Sequence, residues 1–401
     1  MKIFWTFHHN QFSINKISYF VLQSALSLII FCSSIASIAN DHRFQLSGSC
    51  PPGFQLSEGT CHLRSLYHRY NSLRGAGIGG TKTGLPSFRE GFTPQQIDLG
   101  RYLFFDPLLS RNHSISCASC HHPDKGFSDG RSQSVGIDGK RLSRSAPSLW
   151  NIGFFSKLLW DGGARSLEDQ MRRPLFADEE MGNHPEGLLV SLNSNPVYSE
   201  LFKETFPQRA GSGIVLEQVL TAVAAFQSTL ISLNSRYDQY AHGYDKALSD
   251  SELAGLNVFR SSVSRCSECH TPPLFSNQQI AVIGSPEAEG LEFDQGAGKF
   301  FPSQRGGFRV PSLRNIELSA PYMHSGRFES LRDVVKFYNG GRGHAVPANE
   351  SLNLHWHIWD PSLTETEIDH LVNFLEALSD QSFKPPIPTR LPSGLDPVHN
   401  R

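Results

Sequence analysis

The chain has 401 residues, of which 39% are hydrophobic, and it carries a formal net charge of −2. This length allows one large domain or two of ordinary size, and 28 phenylalanines can fill a substantial core. The near-neutral charge argues against a nucleic-acid-binding protein, which would usually present a basic face.

The first 39 residues are predicted to be a signal peptide that lies outside the fold. Lys2 and Lys16 belong to its N-terminal region, residues 20–31 form an apolar run, and residues 37–39 (S-I-A) resemble a small-residue cleavage site. The alternative is an uncleaved anchor, but the apolar run is short for a membrane span. We therefore expect an exported, periplasmic protein without stable membrane insertion after processing.

Residues 40–85 are predicted to form an N-terminal extension. Cys50 and Cys61 bracket a short loop there, and in an oxidising compartment they would form a disulfide. The glycine-rich segment 74–80 has no predicted strand before it. We therefore interpret it as a flexible lead-in rather than as a phosphate-binding loop.

The next feature along the chain is a repeated cysteine motif. Two C-x-x-C pairs are each followed directly by histidine: Cys117, Cys120 and His121, then Cys266, Cys269 and His270. C-x-x-C-H is the attachment signature of c-type haem, because the two thiols can add to the two vinyl groups of one porphyrin. The adjacent histidine then reaches the iron from the proximal side. The sequence therefore predicts two covalently bound haem c groups.

Two other uses of C-x-x-C pairs agree less well with the sequence. A structural zinc site would use all four cysteines, which leaves neither trailing histidine with a role. A thioredoxin-like dithiol needs one pair in a β-α-β context, which the sequence does not predict. His122, next to the first motif, is interpreted as a surface or supporting residue rather than as a ligand.

The segments around the two motifs form an internal repeat. A capped helix precedes each motif, starting after Thr93 in the first repeat and after Ser249 in the second. The segment P-S-L-W-N-I at 147–152 matches P-S-L-R-N-I at 311–316. Farther on, W-D-G followed by S-L-E-D matches H-S-G followed by S-L-R-D, in the same order and spacing.

The remaining elements are predicted to be mainly helices. Ser330 caps a helix with an apolar i, i+3, i+4, i+7 stripe, and Thr364 opens another with a capping box. Strand signals are few and short. We therefore predict a mainly α fold with two tandem cytochrome c-like haem domains, at 86–245 and 246–390, followed by a tail at 391–401.

Longer segments around the motifs resemble a known family. They are L-G-R-Y-L-F-F-D-P-L-L-S before the first motif, L-W-D-G-G-A-R-S-L-E-D-Q after it, and V-P-S-L-R-N-I-E-L-S-A-P-Y-M-H-S-G after the second. Over most of residues 90–380 the chain resembles the bacterial di-haem cytochrome c peroxidases, in particular their MauG-like branch. The resemblance implies a peroxidatic first domain and an electron-transfer second domain. It also implies reduction of hydrogen peroxide, with electrons from a c-type cytochrome or from oxidisable residues of a partner protein.

The resemblance also implies a catalytic set at the first haem. The family has a Trp, a Gln and a Glu at ten-residue spacing, and Trp160, Gln170 and Glu180 match it. A pocket carboxylate such as Glu180 can move the proton that peroxide cleavage requires. Gln170 can hold the bound oxygen by hydrogen bonding, and Trp160 can pass an electron between the haems. Taken alone, Glu180 would be interpreted as part of a solvated acidic turn and Trp160 as a core residue.

Two positions depart from many cytochrome c peroxidases and agree with the MauG-like branch. The loop histidine that blocks the first haem in those enzymes is Ile137 here. The methionine ligand of the second haem is Tyr338, and tyrosine can bind ferric iron through oxygen. From periodicity alone, Tyr338 would be a buried core aromatic. The resemblance implies an open first iron and a second iron bound by His270 and Tyr338.

A calcium ion between the haems is a further family feature. The position of its Asn ligand is Ser145 in this chain, and the two carbonyl ligands would come from Ser319 and Pro321. Calcium is therefore a candidate cofactor besides the two haems.

Two functions of other classes remain as alternatives. A non-enzymatic di-haem electron carrier would have both irons six-coordinate, and it would leave Gln170 and Glu180 without a role. A haem-based redox sensor would be expected to carry a fused output domain, which the sequence does not suggest.

Overall fold

The computed structural model describes residues 44–67 and 84–397, and its elements lie in the compact unit that begins at Leu46. The predicted signal peptide, residues 1–39, and the glycine-rich segment 74–80 lie outside the described residues. Numbered along the chain, the α-helices are α1 (Pro94–Phe105), α2 (Cys117–Cys120), α3 (Leu167–Phe176), α4 (Pro185–Ser194), α5 (Pro196–Thr205), α6 (Leu216–Ser228), α7 (Arg236–Ala241), α8 (Asp250–Phe259), α9 (Cys266–Cys269), α10 (Leu331–Asn339) and α11 (Glu365–Glu376). The strands are β1 (Phe54–Ser57), β2 (Thr60–Leu63), β3 (Ile280–Val282) and β4 (Gly307–Arg309).

The described part of the chain is mainly helical, as predicted. Its strands form two antiparallel pairs, β1 with β2 and β3 with β4, in which Phe54 faces Leu63 and Ile280 faces Arg309. None of its helices has both the length and the apolar character needed to cross a membrane.

The helix starts follow the predicted capping signals. Thr93, Ser249 and Thr364 each accept a hydrogen bond from the backbone N–H three residues later and complete capping boxes for α1, α8 and α11. Ser330 caps α10 in the same way, with the N–H of Asp333 as donor. These local predictions are confirmed because each depends only on residues three positions apart.

One helix crossing occurs twice. Helix α1 packs against α6, and α8 packs against α11. A Cβ added at Gly100 would lie 1.8 Å from the carbonyl oxygen of Ala222, and one added at Gly255 would lie 1.9 Å from that of His370. Glycine therefore lets the two backbones touch at both crossings.

The loops after the haem motifs are repeated as well. Asn151 and Asn315 both adopt left-handed backbone conformations, with φ of 62° and 57°. The Asn151 side chain accepts from the N–H of Ser232 at 3.0 Å and donates to its carbonyl at 2.9 Å. The Asn315 side chain makes the same two bonds to Asp380, at 2.8 Å and 3.3 Å. The repeated sequence thus folds into repeated geometry.

The extension carries the predicted disulfide. Cys50 and Cys61 are bonded across the β1–β2 hairpin. The N–H of Cys61 donates to the carbonyl of Phe92 at 2.7 Å, and both residues pack with Ile97 of α1. The disulfide therefore ties the hairpin to the start of the first repeat.

The predicted tail, residues 391–401, is described as far as residue 397. Leu391 is buried, and the Ser393 hydroxyl donates to the Asp106 carboxylate at 2.8 Å. The Tyr198 hydroxyl donates to the same carboxylate at 2.6 Å. This segment therefore packs against the first repeat.

Candidate active site

The first C-x-x-C-H motif forms one helical turn with its histidine directly behind it. The Nδ1 atom of His121 lies 2.9 Å from the carbonyl oxygen of Phe127, a buried residue with a left-handed backbone (φ 59°). This contact fixes the ring orientation and leaves Nε2 to bind a metal. Burial lowers the pKa of His121 and favours the neutral imidazole, the form that coordinates iron.

The second motif has the same construction. The Nδ1 atom of His270 lies 3.1 Å from the carbonyl oxygen of Phe275, which is also buried and left-handed (φ 54°). Burial lowers the pKa of His270 to about 4. Both motifs therefore present a neutral imidazole beside a pair of thiols.

The four motif cysteines are unpaired thiols. Burial raises the pKa of Cys117 and Cys120 to about 12 and that of Cys266 to about 11. Redox dithiols act as thiolates, so this environment does not suit a redox pair. Among the described residues, no cluster of metal-binding side chains gathers the two cysteine pairs, which excludes a four-cysteine zinc site there. The donor set fits haem attachment.

A cavity lies beside the second motif. Its lining includes His270 and Tyr338 together with Cys266 and Cys269. The Tyr338 hydroxyl has no hydrogen-bond partner among the described residues, and its pKa is raised by burial and by the nearby cysteine thiols. Tyr338 thus offers an oxygen atom as a second ligand for a group that His270 binds.

Trp160 lines the same cavity and is held by both repeats. Its indole N–H donates to the carbonyl of Ser145 at 2.8 Å. The N–H of Ser145 donates to the carbonyl of His324 at 2.8 Å, and the N–H of Arg309 donates to that of Trp160 at 2.7 Å. In the internal repeat, Trp160 corresponds to His324 and Ser145 to Arg309. Equivalent residues therefore exchange equivalent hydrogen bonds between the repeats.

Buried and partly buried charges that the sequence did not predict lie next to this exchange. The Arg144 guanidinium donates to Asp161 at 2.9 Å and to both carboxylate oxygens of Asp294, at 2.6 Å and 3.0 Å. Despite burial, Arg144 lowers the pKa of Asp294 to about 2. The ring of His324 contacts the Glu287 carboxylate through Nε2 at 2.9 Å. No local signal predicts these pairs, because most of the partners are far apart in sequence.

Helix α3 positions the other two predicted catalytic residues. Gln170 is half-buried in α3, and its carboxamide has no hydrogen-bond partner among the described residues. Glu180 is half-buried in the turn that follows. Burial and the neighbouring Glu179 raise the pKa of Glu180. Its carboxylate is one of the groups that raise the pKa of Cys120, so it lies near the first motif.

The loop that contains Ile137 is fixed to the Glu180 turn. Ile137 is fully buried, and its N–H donates to the Glu180 carbonyl at 2.7 Å. A Cβ added at Gly136 would lie 1.9 Å from the carbonyl oxygen of Glu179. The loop therefore places an aliphatic side chain at the position that the sequence resemblance assigns to a blocking histidine.

The three residues predicted to bind calcium line the cavity that Trp160 lines. The Ser145 hydroxyl donates to the carbonyl of Met323 at 2.9 Å. Ser319 and Pro321 would offer only backbone carbonyls, so the set contains no carboxylate. Calcium stays a prediction.

A histidine pair beside the second motif was not predicted. His355, His357 and Cys269 bring ligand atoms within 4.8 Å of one another. His357 lines the cavity, and its Nε2 lies 2.8 Å from Glu268 Oε2. Haem attachment would convert the Cys269 thiol into a thioether, so we interpret the histidines as side chains that cover the motif.

Comparison with known proteins identifies the family. A family model described as di-haem cytochrome c peroxidase matches residues 94–247. The chain is 35% identical over 290 residues to the methylamine utilization protein MauG of Methylorubrum extorquens, covering 71% of this chain and 78% of MauG. The chain belongs to the di-haem cytochrome c peroxidase family. It is also 33% identical over 291 residues to the cytochrome c551 peroxidase of Pseudomonas aeruginosa, covering 71% of this chain and 79% of that enzyme.

Solved structures agree with this membership. A MauG-like protein associated with microbial copper homeostasis gives a TM-score of 0.67 at 31% identity and covers 73% of this chain and 91% of its own. The diheme peroxidase BthA from Burkholderia thailandensis gives 0.65 at 26% identity and covers 88% and 98%. As a family member, this protein is a di-haem peroxidase with two haem c groups, as the sequence predicts.

Proposed function

We propose that this di-haem peroxidase reduces hydrogen peroxide at the haem held by His121 and receives electrons through the haem held by His270. The domains are those predicted from sequence, peroxidatic at 86–245 and electron-transferring at 246–390. The observation that carries this division is Trp160, which is hydrogen-bonded to residues of both repeats and lines the cavity of the second motif.

The peroxidatic assignment is supported by Glu180. When bound, the haem iron supplies the redox chemistry that cleaves the O–O bond. Because its pKa is raised, the Glu180 carboxyl keeps its proton at higher pH than an exposed glutamate and can deliver or accept it at an Oε atom. The unpartnered carboxamide of Gln170 can donate a hydrogen bond to a peroxide oxygen and orient it.

The electron-transfer assignment is supported by Tyr338. Its hydroxyl lacks a described partner and lies in the same cavity as His270. Both faces of the second iron would then carry a protein ligand, and the first iron would have an open face for peroxide. The electrons come from a c-type cytochrome or from oxidisable residues of a partner protein.

We also propose a periplasmic location after removal of residues 1–39. The Cys50–Cys61 disulfide supports it, because such bonds persist in oxidising compartments. We further propose calcium at Ser145, Ser319 and Pro321, and metal analysis of the purified holoenzyme tests it directly.

Electron paramagnetic resonance of the fully ferric holoenzyme, with and without hydrogen peroxide, tests the proposal. We expect one high-spin and one low-spin haem in equal amounts, with a prompt spectral change on adding peroxide. Replacing Trp160 with Phe should leave both resting signals in place and slow electron exchange between the haems. Two low-spin haems that do not react with peroxide would instead identify an electron carrier.

A further inference from the structure

Arg309, the last residue of β4, is a buried cation without a counter-charge. Only 3% of the residue is exposed. Its Nε–H donates to the backbone carbonyl of Leu159 at 3.3 Å, and its guanidinium carbon lies 4.7 Å from the ring centroid of Phe155. Among the described residues, its terminal nitrogens have neither a hydrogen-bond acceptor nor a carboxylate partner.

Arg314, which is also buried, and Arg144, which is partly buried, differ in this respect. Arg314 donates to the Asp238 carboxylate at 2.7 Å, and Arg144 is paired with Asp161 and Asp294. Burial lowers the pKa of Arg309 to about 10, and no carboxylate acts against that shift. A buried charge is costly unless an anion accompanies it. The fold therefore leaves a place for an anion beside Arg309.

The location of Arg309 indicates which anion. Arg309 lines the cavity that contains Cys266, Cys269 and His270. It lies two residues before Pro311, which lines the same cavity. A haem attached in this cavity brings two propionate carboxylates with it. A guanidinium fork matches a carboxylate in shape and charge.

We propose that Arg309 binds a propionate of the second haem and raises the reduction potential of that haem. This inference rests on the proposed placement of the second haem at His270. A retained positive charge beside the propionate offsets the negative charge near the iron and so favours the ferrous state.

The internal repeat makes this cation specific to one haem. The residue that corresponds to Arg309 in the first repeat is Ser145, and both residues donate their N–H across the repeats, to Trp160 and His324 respectively. The backbone contact is thus retained while the charge occurs at one of the two positions. This side chain would therefore contribute to a difference in potential between the two haems.

The experiment measures the resting holoenzyme of wild type, Arg309→Leu, Arg309→Lys and the control Arg305→Leu. Arg305 lies four residues away, is paired with Glu350 and is not among the cavity-lining residues. Spectroelectrochemical titration gives the potential of each haem, and resonance Raman spectra give the propionate bending band. We expect the reduction equilibrium of the second haem to fall about tenfold in Arg309→Leu, which is about 59 mV for one electron. Its propionate band should shift, whereas Arg309→Lys keeps most of the potential and Arg305→Leu changes neither.

An unchanged second-haem potential and propionate band in Arg309→Leu would overturn the proposal, as would a change confined to the first haem. If the Arg309→Leu protein does not acquire its haems, the propionate band of Arg309→Lys tests the proposal instead. Lysine would replace the two hydrogen bonds of the guanidinium with one ammonium contact, so the band should still shift. An unmoved band there would also overturn the proposal. These measurements need no peroxide. A negative result for Arg309 is therefore distinguishable from a failure of the proposed peroxide reaction, and each can occur without the other.

Discussion

At the scale of single residues, Glu180 combines burial with a position near the first haem motif. We expect Glu180→Gln to keep both haems and to slow the reaction with hydrogen peroxide by about 10² to 10⁴, the usual contribution of a positioned acid–base group. Stopped-flow absorbance at the first haem measures the rate. The matched control is Asp178→Asn, an exposed carboxylate in the same turn. An unchanged rate constant in Glu180→Gln would show that Glu180 is part of a solvated acidic turn and has no role in the reaction.

The raised pKa of Glu180 also has a stability consequence. In the unfolded chain its pKa is ordinary, so over the interval between the two pKa values the folded state retains a proton that the unfolded state has lost. The contribution of Glu180 to the free energy of unfolding is complete below the pKa that it has in the unfolded chain. This contribution is lost as pH rises through the pKa that it has in the folded protein. Relative to Glu180→Gln, the wild type should therefore become less stable as pH increases. Denaturant titrations of both proteins across this pH range measure the difference, and a pH-independent difference would contradict the assignment.

Tyr338 gives the third prediction at this scale. Tyr338→Phe removes only the hydroxyl, so we expect the low-spin signal of the second haem to be lost while the first haem still binds peroxide. Electron paramagnetic resonance and absorption spectra of the ferric protein measure this change. Tyr244→Phe, at an exposed position, is the control. Identical spectra for Tyr338→Phe and wild type would show that Tyr338 is a core aromatic and not a ligand.

At the scale of elements, the two helix crossings depend on glycine. We expect Gly100→Ala and Gly255→Ala each to destabilise the protein by about 1–3 kcal/mol, because the added methyl group forces the two backbones apart. Thermal or chemical denaturation of each variant measures the loss. In the control Gly48→Ala the added methyl meets no atom within 4 Å, so a comparable loss there would point to a general cost of replacing glycine.

The elements also show what sequence can predict. The helix starts at Thr93, Ser249 and Thr364 follow from residues three apart, and the haem motifs follow from residues four apart. The β3–β4 pair was missed because each strand has only three residues and its partner lies more than 20 residues away. The same limit applies to the Arg144–Asp294 ion pair, which forms only after the two repeats meet.

At the scale of the whole molecule, the loop that contains buried Ile137 predicts whether the enzyme must be reduced before it reacts with peroxide. Since isoleucine cannot bind iron, the fully ferric protein should react with peroxide without prior reduction. Stopped-flow mixing of the ferric and half-reduced forms should give rates of similar magnitude. A strict requirement for reduction would mean that another side chain covers the first iron.

The hydrogen bonds exchanged by Ser145, Trp160 and Arg309 have a consequence for electron tunnelling. His121 contacts the Phe127 carbonyl, and the carbonyl of the preceding Gly126 accepts from the Ser148 hydroxyl at 2.7 Å. The backbone leads from Ser148 to Ser145, whose carbonyl accepts from the indole of Trp160. The Trp160 carbonyl accepts from the N–H of Arg309, whose backbone leads to Ser312. The Ser312 hydroxyl donates at 2.7 Å to the carbonyl of Leu274, the neighbour of Phe275, whose carbonyl contacts His270. The two proximal histidines are therefore joined by an unbroken series of covalent and hydrogen bonds. Electronic coupling decays less steeply along such a bonded path than across empty space, so the rate between the two irons would depend on these backbone contacts as well as on the indole ring.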